Sequence, residues 1–246
     1  MSDKARPWDA WLQLRGAEGN RVTIIDLYEL VAIPQGLAAH ELPAATRLGL
    51  ALQAMAQTWP GFAITEGSEL PAVPLVVVNY DPVWPQAYER WRSLVTAALG
   101  GTAVRIDHVG STSVPGMAAK PIVDIQVSVA DLSSESRYVP ALQALGLVLR
   151  SRDELHRFLR PPASQAHDVH VHVCAVGGQW ERVHLLFRDY LRAHPVACHR
   201  YAEAKRAGAR RWSDDGWAYG AAKTGVILDI MEQAEHWAAA ANWAPL

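Results

Sequence analysis

The chain has 246 residues, half of them hydrophobic and a fifth charged, with a formal net charge of −2 at pH 7. That balance allows a buried core in one large domain, or one domain with an appendage, and argues against global disorder and against a general nucleic-acid coat. Two cysteines, Cys174 and Cys198, make no disulfide framework; no stretch is long and apolar enough to span a bilayer, and MSDKARPWDAW lacks the apolar centre of a signal peptide, so the expectation is a soluble, cytoplasmic protein.

Pro71-Ala-Val-Pro74 reads as an extended connector, because each proline pushes the residue before it away from helix. It divides the chain into an N-terminal extension, residues 1–72, and a main domain, residues 73–246. In the extension, Val22–Ala32 (VTIIDLYELVA) is rich in β-branched residues, as a strand is. It also places Ile24, Leu27, Tyr28 and Val31 on one helical face. Leu42–Trp59 has a helical pattern, with Pro43 at a first-turn position. No chemistry attaches to this segment.

In the main domain, Leu75–Val78 reads as a short strand. Asp81-Pro-Val-Trp-Pro85 is a turn that opens a helix from about Pro85 to Leu99, stopped by Gly100-Gly101. Ala103–Val109 is a strand, followed by a Gly-Ser loop. Ile122–Val129 alternates, with Val123, Ile125, Val127 and Val129 on one face and Asp124, Gln126 and Ser128 on the other. Such a polar stripe also suits a strand with one face in water. A helix near Val139–Leu145 and short strands near Leu147–Arg150 and Arg157–Leu159 come next. Asp168–Val176 is a further alternating strand, and from Gln179 onward the chain is mostly helical. Strands with interspersed helices and a helical tail give an α+β fold.

The loop Gly110, Ser111, Thr112 and Ser113 supplies backbone N–H groups and hydroxyls that suit a phosphate, although a serine-capped turn accounts for the same residues. It is not a Walker A loop, since no Gly-Lys-Ser/Thr occurs. Lys120 brings a cation to the same end. Asp124 is placed to hold a divalent metal, Mg²⁺ or another, but Gln126 stands where a second carboxylate is expected. His170, His172 and Cys174 share one strand face with Asp168, and His167 is close by. These residues can supply metal ligands or serve as hydrogen-bonding structure.

Farther on, His184, Arg188 and Arg192 line one helical face, and residues 181–212 hold eight Lys/Arg against three Asp/Glu. Arginine suits bidentate phosphate recognition, while a solvated basic face has the same composition. Tyr201/Lys205 and Tyr219/Lys223 repeat a Tyr-x3-Lys spacing that puts ring and ammonium on one helical face.

HVGSTSVPGMAAKPIVDIQVSV at His108–Val129, HVHV at His170–Val173, LLFRDYLRAHP at Leu185–Pro195 and the two Tyr-x3-Lys pairs together resemble the GrpB family, over roughly residues 76–237. The resemblance implies a nucleotidyltransferase-like mixed sheet with flanking helices and a C-terminal helical region. It implies no general activity. Three readings stay open, the weakest being nucleic-acid binding through the basic segment 181–212. In one, a metal-dependent nucleotidyl or phosphoryl transferase holds a nucleotide or phosphate ester on Gly110–Ser113, Lys120, Arg188, Arg192, Tyr201, Lys205, Tyr219 and Lys223. Its metal sits on Asp124 with Asp168, His170 and His172, and Asp124 is the catalytic carboxylate. In another, the same fold binds such a ligand without turnover. Neither of these two calls for a membrane or a nucleic-acid partner.

Overall fold

The computed structural model describes residues 13–15, 21–58, 63–65 and 75–245. The connector Pro71–Pro74 lies outside them. The ambiguous segment Val22–Ala32 is both things in turn. Arg21–Thr23 is a strand (β2) paired antiparallel with Gln13–Arg15 (β1), and Ile24–Ala32 is helix α1. Thr23 is where they change over: its side chain accepts from the Asp26 N–H while Asp26 accepts from the Thr23 N–H, a reciprocal cap that starts the helix. Helix α2 is Ala44–Thr58, and Ala63–Ile64 is a short strand, β3, that the sequence pattern did not signal.

The expected strand Leu75–Val78 does not form. Only Val78 makes a bridge, to Ala119, and Val76 and Val78 keep exposed side chains. With one bridge to pair with, a β-branched run has no ladder to join. Helix α3 is Trp84–Leu99; strands β4 and β5 are Ala103–Val109 and Val123–Val129; α4 is Val139–Ala144. Strands β6, β7 and β8 are Val148–Arg152, His156–Arg160 and Val169–Ala175. Four helices close the chain: α5 (Gln179–Ala193), α6 (Pro195–Arg211), α7 (Gly216–Ala221) and α8 (Thr224–Ala241). None of the described helices is long and apolar enough to cross a membrane. The fold is α+β, with a C-terminal helical region.

Six strands form one sheet in the order β3-β6-β7-β8-β5-β4, antiparallel except for the β5–β8 pair. The parallel register sets Asp124 beside His170 and Gln126 beside His172. The apolar stripe of β5 packs with Val171 and Val173 against Val95 and Leu99 of α3 and Leu142 of α4. The polar stripe is covered as well, since Gln126 and Ser128 are fully buried. A strand with one wet face is therefore not what forms.

A second core joins α5, α6 and α8 through Leu186, Tyr201, Ile230 and Met231. The third joins the extension to the main domain. Ile24, Tyr28 and Ala51 pack with Trp212 and Tyr219, and Arg47 of α2 reaches Asp214 at 2.6 Å and Asp215 at 3.2 Å.

Candidate metal and anion site

The site lies where β5 and β8 run side by side, under the loop that follows β4. Gly110 in that loop has φ +67°, and a Cβ there would meet Asp124 Oδ2 at 2.1 Å. The loop's close approach to the carboxylate therefore requires glycine. Ser111–Ser113 make one 3₁₀ turn, which sends Thr112 and Ser113 inward. The Thr112 hydroxyl donates to the Ile122 carbonyl and accepts from His108 Nε2 at 3.0 Å; the Ser113 hydroxyl donates to the Gly110 carbonyl. Of the four loop residues, Gly110 and Ser111 line the cavities described below.

Among the described residues one group of three metal-donor side chains comes together: Asp124, His170 and His172, with ligand atoms within 4.8 Å of one another. Asp124 Oδ1 is 3.0 Å from His170 Nδ1 and 3.6 Å from His172 Nε2. Burial would raise the Asp124 carboxyl, but hydrogen bonds from both imidazoles outweigh it and hold the group well below the ordinary carboxylate range. Burial depresses His170 despite its bond to Asp124, which favours the neutral imidazole. Two imidazoles and one carboxylate are a donor set for Zn²⁺, Mn²⁺ or Fe²⁺ more than for Mg²⁺, which prefers oxygen.

The outward ring nitrogens are held too. His170 Nε2 is 2.9 Å from His167 Nε2, and Arg160 lies within 3.2 Å of that same nitrogen and 3.3 Å of His167 Nδ1. His172 Nδ1 is 2.9 Å from His156 Nε2, and His156 Nδ1 is 3.5 Å from Asp153 Oδ2. Asp153, His156 and His172 thus form a carboxylate–imidazole–imidazole chain, the kind of support that orients metal-binding histidines. Burial pushes His156 down to about 4, and its ring stacks on Trp180 with centroids 3.9 Å apart.

Two residues of the expected ligand strand are not in the cluster. Asp168 is exposed at the strand entrance, where its carbonyl accepts the Val123 N–H. Cys174 lies against Ser128, Sγ to Oγ 3.7 Å, and burial pushes its thiol up to about 12, so it stays protonated.

Beside Asp124 is a cavity of about 210 Å³ lined by Gly110, Ser111, Lys120, Asp124, His170, Tyr201, Lys205, Tyr219 and Lys223, among others. Both Tyr-x3-Lys pairs meet here. Lys205 Nζ lies 4.6 Å from the Tyr201 ring centre and Lys223 Nζ 4.2 Å from that of Tyr219, with Lys120 Nζ at 5.3 Å from the same ring. Lys205 is 2 % exposed, and its ammonium has no hydrogen-bond acceptor among the described residues. Burial, with neighbouring Lys223, lowers Lys205 to about 6; burial and Lys120 lower Lys223 to about 7.

Arg188 and Arg192 do not line that cavity. Arg188 bonds Asp189 at 2.7 Å and the His108 carbonyl at 3.3 Å, and pairs with Asp107 at 3.6 Å; Arg192 donates twice to the Ser113 carbonyl, at 3.0 and 2.8 Å. They tie α5 to the backbone around the loop. Asp107, opposite Gln126 in the β4–β5 pair, is also held by Arg105 at 2.6 Å.

Comparison with known proteins bears out the family resemblance of the sequence motifs. The GrpB protein family model matches residues 74–233. A UPF0157 protein of Streptomyces coelicolor is 45% identical over 163 residues, covering 66% of this chain and 86% of that protein. The dephospho-CoA kinase of Mycolicibacterium paratuberculosis is 30% identical over 203 residues, 72% of this chain but 50% of that protein. A crystal structure of conserved protein GrpB from Enterococcus faecalis superposes with a TM-score of 0.59 at 27% identity, over 66% of this chain and 99% of that one. With the family model spanning well over half of its residues, the chain belongs to the GrpB family.

Proposed function

We propose that the protein binds a phosphorylated small molecule, with the phosphate among Lys120, Lys205 and Lys223 and one divalent cation on Asp124, His170 and His172, and that it acts as a metal-dependent group transferase. The observation that carries this reading is Lys205, a buried amino group without an acceptor among the described residues, facing a cavity that two further lysines share. A buried cation is costly unless paired, and a phosphate is the partner that three lysines suit. When bound, the cation supplies charge neutralisation beside the phosphate. The chain's own groups do the rest. The lysines hold the anion, Gly110 leaves room for the Asp124 carboxylate, and the two tyrosine rings bury the lysine stems.

The test is Lys205→Met. Removing a buried amino group that lacks an acceptor stabilises the ligand-free protein, so its melting temperature rises, while the stabilisation given by added methyl phosphate is lost. A variant that melts lower than the parent and still responds to methyl phosphate rules out this role for Lys205.

A second reading, binding without turnover, has its own support. Gln126 carries no charge and is fully buried, and Asp107 is held by arginines, so Asp124 is the carboxylate left for metal. Two-metal transfer needs more. No kinase activity comes with the mycobacterial relatives, because these 246 residues contain no Walker A sequence.

A further inference from the structure

A second cavity opens from the same group of residues. It has a volume of about 220 Å³ and shares Gly110, Ser111, Asp124, His170 and Tyr201 with the lysine cavity. Its far wall differs in chemistry. Val183, Phe187 and Leu191 recur every four residues along α5, and Ile227 and Met231 do the same along α8, so two apolar ridges face each other across it. The polar side chains in that wall are occupied. His184 donates Nδ1–H to the Trp180 carbonyl at 2.7 Å and stacks on Trp180, and Arg188 is held by Asp189, Asp107 and the His108 carbonyl.

We infer that the ligand is an amphiphilic phosphate ester, an alkyl or aryl phosphate whose apolar body lies between α5 and α8 while its phosphate meets the lysines; this rests on the phosphate reading above. A cationic cavity and an apolar one that meet at a carboxylate and a histidine fit a molecule with one anionic end and one greasy end. A nucleobase fits worse. It would bring several donors and acceptors to a wall whose polar groups already have partners, and unpaired polar groups are costly to bury. Size agrees too: a dry cavity of about 150 Å³ holds benzene, so this one takes a phenyl or a chain of roughly six carbons.

The experiment is calorimetric titration of the full chain, in the presence of Mn²⁺, with methyl phosphate, n-hexyl phosphate, phenyl phosphate and adenosine monophosphate. The inference expects hexyl and phenyl phosphate to bind on the order of tenfold or more tighter than methyl phosphate, since each buried methylene adds affinity. It also expects adenosine monophosphate to bind more weakly than either. Val183→Phe, which fills the space, brings the hexyl-to-methyl ratio toward one. Equal affinity for methyl and hexyl phosphate overturns the inference and leaves the phosphate reading standing, as does a preference for the nucleotide. Failure of all four ligands to bind overturns the phosphate reading and the inference with it.

Discussion

Gly110 and Asp124 are the closest-fitting pair in the site. A methyl group on Gly110 would occupy the position of the Asp124 carboxylate and add strain at φ +67°. Gly110→Ala is expected to cost roughly 1–3 kcal/mol of stability and to remove metal binding, read by urea denaturation and by equilibrium dialysis with Zn²⁺. The lysines make a separate prediction. With Lys205 lowered to about 6 and Lys223 to about 7, much of their charge is absent above neutral pH in the free protein. A bound phosphate favours the ammonium forms, so binding takes up protons and affinity falls as pH rises through 7. The stability sign is opposite. The unfolded chain holds more protons than the native one between about pH 6 and the ordinary lysine range, so ligand-free stability from these groups rises with pH there. Titrations at pH 6, 7 and 8 in buffers of different ionisation enthalpy measure the uptake.

At the scale of elements, the pairing of β5 with β8 brings Asp124, His170 and His172 together, and the pairing of β7 with β8 supports them. His156 and Asp153 were not singled out from the sequence, since no spacing connects them to His172. Only the antiparallel β7–β8 register, with Phe158 opposite His172 and His156 opposite Cys174, brings the His156 ring within reach. The alternation of HVHV did put His170 and His172 on one strand face, because period-two spacing is a local property. The arginines on α5 were legible as a stripe, but their targets, the carbonyls of His108 and Ser113, are set by how α5 lies on the loop. His156→Phe keeps an aromatic ring on Trp180 and removes the hydrogen bond to His172. Metal affinity is expected to drop on the order of 10- to 100-fold with the fold retained, as circular dichroism and metal titration can establish.

For the whole molecule, most elements of the main domain were readable, because its strands and helices have clear periods and Gly or Pro stops. In the extension helix α2 was readable from its pattern too, but the rest was not. Its ambiguous segment splits at the Thr23 cap, and its two-residue β3 exists by pairing with β6. Its contacts to α6 and α7 are between residues far apart in sequence, which no local pattern encodes. Arg47 joins the two regions, buried to 3 % exposure against Asp214 and Asp215. Arg47→Met is expected to destabilise the protein by about 3 kcal/mol, because it leaves Asp215 buried without its cation; urea unfolding measures it. In the proposed arrangement a phosphate and a metal lie on either side of Asp124. Titration of methyl phosphate into the protein with Mn²⁺, with EDTA, and into Asp124→Asn tests that arrangement directly. The account predicts that affinity falls at least about tenfold both on chelation and in the variant; an affinity unchanged by either contradicts it.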